Sequence, residues 1–170
     1  MGRLMGVALL LGGGLWLGLG AAGELRQRVC ALDAWIASLA SMENELAFRL
    51  PDLPDLLNTL AHRVEHPARE VFEAVCARLE ELGLVPFDGL WQEALSVHPG
   101  GLSRGDVEVL SRLGNVLGRY GWEDQRRVIG LARKELETRR GEAQRELKQK
   151  GRARVALGLT VGGFLTILLI

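Results

Sequence analysis

One stretch of the chain has residues of the right type and spacing for catalysis: HRVEHP, from His62 to Pro67. It contains HxxEH, the inverted form of the zinc-peptidase motif. There, two histidines four apart on one helix face hold the metal, and a glutamate between them serves as general base. That chemistry needs a continuous helix through both histidines. Pro67 opposes it, because the residue before a proline is pushed out of the α region and His66 is that residue. Among the many acidic residues downstream, none stands out as a third ligand. The sequence therefore predicts no metal site, no cofactor and no enzyme. A membrane-anchored zinc metalloprotease using HRVEH is the alternative class.

The other chemistry-bearing residues point to binding. Glu43 and Glu45 are two apart on a helix, so they do not face each other and make no acid–base pair. They lie near a helix C-terminus, where the macrodipole disfavours carboxylates. With Asp52 and Asp55 following, they form a candidate acidic partner-binding patch, set against a plain solvated face. Trp122, beside Tyr120, is a candidate interface anchor. Trp35 lies off the strict apolar stripe of its helix, and the bland alternative for Trp35, Trp91 and Trp122 is burial at the rim of the core. Gly114 and Gly118 bracket a helix end, where Gly118 supplies a left-handed cap. LGNVLG has no preceding strand and is no phosphate-binding loop. The chain has no nucleophile turn, no CxxC and no Walker-type loop, so any energy-consuming step belongs to a partner.

The elements that position these residues follow from apolar spacing. Leu25, Val29, Leu32, Ile36 and Leu39 recur at steps of four and three, predicting a first helix from about Glu24 to Phe48. Pro51 and Pro54 break it, and a short second helix turns Leu56, Leu57, Leu60 and Val64 inward. Pro67 ends that helix and opens a third, with Val71, Phe72, Val75, Cys76 and Leu79 inward, which runs until Gly83 stops it. A fourth covers Phe87 to Ser96, with Leu90, Trp91, Ala94 and Leu95. Ser103 or Asp106 caps a fifth, whose inner face is Leu110, Leu113 and Leu117. The sixth runs from Glu123 to about Lys150 with Ile129, Ala132, Leu136, Ala143 and Leu147. No alternating pattern predicts a strand.

Composition adds two apolar ends. The chain has 170 residues with formal net charge zero, which argues against a nucleic-acid surface. Cys30 and Cys76 fall at apolar helical positions, so they read as thiols in a reducing compartment. Residues 4–22 and 155–170 carry no charge, and each reads as a membrane span, the second helped by the snorkelling stems of Arg152 and Arg154. A cleaved signal peptide is the rival reading of the first span, with GAAG, Gly20 to Gly23, as the cleavage site. Basic residues flank the middle of the chain, Arg26 and Arg28 on one side and Lys148 to Arg154 on the other, while only Arg3 lies beyond. The positive-inside rule makes the middle cytoplasmic and sends both termini across the membrane. Gly14 with Gly18, and Gly158 with Gly162, are candidate helix-packing pairs in the membrane.

The predicted organisation is an N-terminal transmembrane anchor over 1–23, a cytoplasmic helical bundle over 24–152 and a C-terminal transmembrane helix over 153–170. The fold class is all-α: a six-helix antiparallel bundle flanked by one transmembrane helix at each end.

Two stretches carry a family resemblance. MENELAFRLPDLPDLL, Met42 to Leu57, ends a helix with Glu43 and Glu45 before Leu53 and Pro54 open the next. LGNVLGRYGWEDQ, Leu113 to Gln125, has a glycine–leucine–glycine turn followed by Asp124 and Gln125. With the six-helix middle and the apolar ends, the chain resembles the stage III sporulation protein AB family over essentially its whole length. Gly121 stands where the family turn often has an aspartate.

That resemblance implies a membrane component of the channel-like complex between mother cell and forespore, placed in the mother-cell membrane facing the forespore. It implies a soluble domain similar to the type II secretion F-domain, a scaffold that meets an assembly ATPase and other membrane proteins. It implies no small-molecule substrate and no nucleic acid.

Overall fold

A computed structural model of the chain describes the backbone of residues 2–169 and the side chains of residues 23–150. It is all-α. The helices are α1 (Gly2–Phe48), α2 (Leu53–Arg63), α3 (Ala68–Cys76), α4 (Phe87–Val97), α5 (Arg104–Gly114) and α6 (Trp122–Leu169), with a 3-10 turn at Leu79–Glu81. Gln27–Gly141 form one compact unit, and Met1–Arg26 with Glu142–Ile170 form a second. In the second unit Leu25 and Ala143 are buried and Lys150 pairs with Glu146.

The first helix does not begin near Glu24. It is continuous from Gly2, so the predicted boundary between anchor and bundle is not a break in the backbone. Among the described residues no helix is long and apolar enough to cross a membrane. Both apolar ends lie outside the residues whose side chains are described, as do Gly14, Gly18, Gly158 and Gly162.

In the unit Gln27–Gly141, α1 and α6 run antiparallel. Asp33 pairs with Arg140 at 2.8 Å and Glu43 with Arg133 at 2.7 Å, so numbers rise along one helix as they fall along the other. Consecutive short helices pack in turn, α2 on α3, α3 on α4 and α4 on α5. The inner faces predicted for the second, fourth and fifth helices are buried. Leu56, Leu57, Leu60 and Val64, then Leu90, Trp91, Ala94 and Leu95, then Leu110, Leu113 and Leu117 are all buried.

An aromatic cluster sits where α1, α3 and α4 meet. Trp35 and Phe72 have ring centroids 5.7 Å apart, Trp35 meets Trp91 edge-on at 6.1 Å, and Phe87 stacks on Trp91 at 5.9 Å. Such pairs contribute about 0.5–1.5 kcal/mol each beyond their buried area. The indole N–H of Trp91 donates to the Leu110 carbonyl at 2.8 Å, so this deeply buried tryptophan leaves no polar atom unmet. Neither Trp35 nor Trp91 sits at the rim: both are core residues, with relative exposures of 1% and 0%. Burial of Trp35 turns the α1 stripe toward Leu32, Trp35, Leu39, Met42 and Leu46, and leaves Ile36 and Val29 only half-buried. Ser38 is carried inside on the same face, its hydroxyl donating to the Ala34 carbonyl at 2.7 Å.

Two further expectations are corrected. The third helix stops at Cys76, well before Gly83, and Cys76 and Leu79 are only half-buried. There Arg78 closes a tight turn by donating both prongs of its guanidinium to Glu81, at 2.9 and 2.8 Å, and a third bond to Glu93 of α4 at 2.6 Å. Cys30 is exposed, so it does not occupy an apolar inner position.

The start of α5 is tied to both long helices. Ser103 and Asp106 form a reciprocal capping box, in which the Asp106 N–H donates to the Ser103 hydroxyl and the Ser103 N–H donates to the Asp106 carboxylate. Asp106 is fully buried and also accepts from Arg28 of α1, with Arg139 of α6 at 3.7 Å. Burial alone would push the Asp106 carboxyl up. The hydrogen bonds from Arg28 and Ser103 outweigh it and hold the group below the usual aspartate value.

Candidate functional site

The chain's catalytic-looking motif is split by its own backbone. α2 ends at Arg63, and Val64 already has extended dihedrals, φ −83° and ψ 157°. His62 lies on the last turn of α2, while His66 follows the helix end, so the two histidines share no helix. His66 instead turns its Nδ1 to Glu70 at 3.0 Å, and the other oxygen of Glu70 faces His98 Nδ1 at 3.5 Å. Among the described residues no group of three or more His, Cys, Asp and Glu is arranged to hold a metal ion.

Glu43 and Glu45 of the predicted acidic patch reach different partners. Glu43 reaches Arg133 of α6. Glu45 points to Arg63 of α2 and lies 3.6 Å from Arg49. Asp52 occupies the N-cap position of α2 without a side-chain cap bond, and Asp55 sits exposed in the first turn of that helix. Helical geometry separates Glu43 and Glu45 by about 200°, which is why they find different partners.

Glu43 and Trp122 do come together. They line one groove of about 600 Å³ formed along the first turns of α6 beside α1. Trp122, Arg126, Gly130 and Lys134 follow one another at steps of four, which sets them in a row on the α6 surface; Glu123, Arg127 and Leu131 form the adjacent row. Trp122 is 42% exposed and Leu131 61%, so the groove offers two apolar surfaces to solvent.

Gly130 opens the floor. A Cβ there would stand 2.6 Å from Glu43 Oε1, so the missing side chain is what lets the carboxylate of α1 lie across α6. From that position Glu43 accepts from Arg133 Nε at 2.7 Å, and Arg133 also donates to Glu137 at 2.8 Å. The hydrogen bond to Glu43 raises the Arg133 guanidinium above its usual value, with Glu137 adding to the effect. Both floor charges are thereby answered within the protein.

The loops at this end bring further apolar surface. Gly118 takes the expected left-handed backbone, φ +75°, but it does not cap α5, which already ends at Gly114 with Asn115 as its C-cap; it serves the α5–α6 turn, where a Cβ would stand 2.8 Å from Leu53 Cδ2. The α5–α6 loop therefore rests against the start of α2. Phe48 and Leu50 are exposed just before that start, and Tyr120 is exposed just after Gly118. Gly114, by contrast, is buried: it lets α5 approach Trp91 of α4 and belongs to the core.

The sequence singles out Trp122 and Glu43, which both line the groove, but not the cations beside them. Arg126, Arg127, Arg133 and Lys134 share a face by helical spacing alone, a signal that was readable from Trp122 onward. The buried Asp106 junction was signalled only by its capping box.

A family model described as stage III sporulation protein AB matches residues 3–170, nearly the whole length. The chain belongs to this family. A solved structure of a stage III sporulation protein AB has the same fold, with a TM-score of 0.62 and 24% identity, covering 72% of this chain and 97% of that one. No curated protein matched.

Proposed function

We propose that the chain is a non-enzymatic assembly or docking scaffold in the channel complex between mother cell and forespore. In this reading its apolar ends anchor it in the mother-cell membrane and its helical domain faces the cytoplasm. The groove where Trp122 and Glu43 meet carries the reading. It combines an accessible aromatic, a Gly-opened floor and fixed charges, the ingredients of an interface anchor, and it contains no catalytic constellation. The partners are other membrane proteins of the complex and its assembly ATPase, which would supply the energy this chain has no residues to extract. Glu45, Asp52 and Asp55, which are not among the groove's lining residues, are secondary contact candidates. Gly14 with Gly18 and Gly158 with Gly162 would pack the anchors against neighbouring membrane helices.

The test is site-specific photocrosslinking in sporulating cells, with a photoreactive residue at Trp122 and, separately, at Glu45. Capture of a membrane or ATPase component at Trp122 supports the docking role. Crosslinks to lipid alone, or none at either position, would remove it.

A further inference from the structure

The charge in the groove is lopsided in a chain whose formal net charge is zero. Its lining holds four cations, Arg126, Arg127, Arg133 and Lys134, against two carboxylates, Glu43 and Glu123. Arg133 and Glu43 already satisfy each other. Arg127 has only a distant partner, Asp124 at 3.9 Å. Arg126 and Lys134 make no ion pair among the described residues. Glu123 is the one lining carboxylate outside that pair, so what remains to be answered in the groove is net positive.

The apolar surface is as unevenly placed. Among the described residues seven large apolar or aromatic side chains are exposed: Phe48, Leu50, Leu84, Val97, Tyr120, Trp122 and Leu131. Trp122 and Leu131 line the groove, while Phe48 at the end of α1, with Leu50 and Tyr120 in the loops, lies close in sequence to the point where Gly118 rests on Leu53. Leu50 is held at φ +47°, a left-handed backbone that a leucine adopts at a cost of about 1–2 kcal/mol. Scattered apolar residues need no explanation, but five of seven gathered at one end do.

Resting on the docking role proposed above, we infer that this groove receives an acidic segment of a partner protein, whose carboxylates meet Arg126, Arg127 and Lys134 while an apolar side chain seats against Trp122 and Leu131. Charge complementarity of this kind sets orientation and encounter rate, and the aromatic contact supplies the residence time. An anionic lipid surface answers the same cations less well. A planar surface of headgroups does not fill a groove, whereas a peptide segment can place carboxylates on the cations and an apolar side chain against Trp122 and Leu131 together.

The experiment introduces p-benzoylphenylalanine at Leu131 of the full chain in sporulating cells and sequences the captured segment by mass spectrometry. A segment with net negative charge is expected, and its crosslinking should fall about tenfold or more in the Arg126→Glu, Arg127→Glu variant. Replacing the segment's own glutamates and aspartates by lysine should then restore crosslinking in that variant. Circular dichroism checks that the variant keeps the helical content of the parent.

A neutral or basic segment captured at Leu131 would overturn the acidic partner while leaving the docking role standing. Capture of no protein would overturn both. In a second arm the purified full chain is mixed with vesicles of about 30% phosphatidylglycerol. If the same charge reversal abolished vesicle binding but left protein crosslinking unchanged, the cations would serve the membrane and the inference would be wrong.

Discussion

Arg28 and Asp106, 78 residues apart, form a two-pronged contact in which Nε donates to Oδ2 at 2.7 Å and Nη2 to Oδ1 at 3.0 Å. The carboxylate is fully buried and the guanidinium side chain about a quarter exposed. Asp106→Ala removes the two-pronged contact to Arg28 and the capping box with Ser103 together. Asp106→Ala should therefore destabilise the folded domain by about 3–5 kcal/mol, measured by urea unfolding of the full chain followed by circular dichroism. A loss below about 1 kcal/mol would mean that the contact is ornamental.

The same carboxylate sets an acid sensitivity. Its folded pKa is held below the ordinary value of about 3.9, so the stabilisation it provides is complete above about pH 4 and is lost as pH falls through the folded value. Asp106→Asn lacks this titration. The gap in stability between the parent and Asp106→Asn should stay constant from pH 7 to about pH 5 and shrink at lower pH. A gap that widened on acidification would contradict the sign.

Two tryptophans should behave oppositely. Trp91 is buried against Trp35, Phe72 and Phe87, so Trp91→Ala should cost about 3–5 kcal/mol of stability. Trp122 is well exposed, and Trp122→Ala should change stability by less than about 1 kcal/mol. Sporulation efficiency, scored beside thermal unfolding, separates them: a defect in Trp122→Ala with unchanged unfolding temperature is the expected pattern.

Gly114 and Gly118 are both intolerant of a side chain, for different reasons. A Cβ at Gly114 would meet Trp91 Cδ1 at 2.9 Å and the Asp88 Cα at 3.1 Å, and the second of these is backbone that cannot swing away. Gly114→Ala should cost about 1–3 kcal/mol through overpacking. Gly118→Ala should cost about 1 kcal/mol or more from its positive φ, with the leucine tip of Leu53 giving way. Equal stability of either variant and the parent would refute the assignment.

The two cysteines should label at different rates. Cys30 is exposed, whereas burial, aided by Glu73, pushes the Cys76 thiol up and so lowers its thiolate fraction at neutral pH. Iodoacetamide should modify Cys30 first, with Cys76 slower by about tenfold or more until denaturant is added. Peptide mapping over time provides the readout.

How much of this could be read from the sequence depends on the range of the interaction. The inner faces of α2, α4 and α5 were legible because an amphipathic helix writes its own burial at steps of three and four. The choice between Trp35 and Ile36, adjacent on α1, was not. It is decided by Phe72 and Trp91, which a local pattern cannot see. The site shows the same division. Trp122 was visible as an aromatic beside a turn, but Glu43 was read with its chain neighbours Glu45, Asp52 and Asp55 as an acidic patch. Its actual partner, Arg133, is 90 residues away, and that pairing makes the surroundings of Glu43 predominantly basic.

The junctions between the first and last long helices also bear on the birth of the protein. All-helical domains ordinarily fold quickly because their contacts are local. Here Asp33 must meet Arg140 across 107 residues, and Asp106 must meet Arg28 and Arg139, so the cost of closing a long loop comes before those contacts repay it. A ribosome that has released the chain only as far as α5 has emitted Asp33 and Glu43 without their partners Arg140 and Arg133. Trp35 can already pack on Phe72 and Trp91, but the buried Ile129, Ala132 and Leu136 of α6 are still missing, and a nascent chain stalled before Arg139 should be a better chaperone client than the finished one.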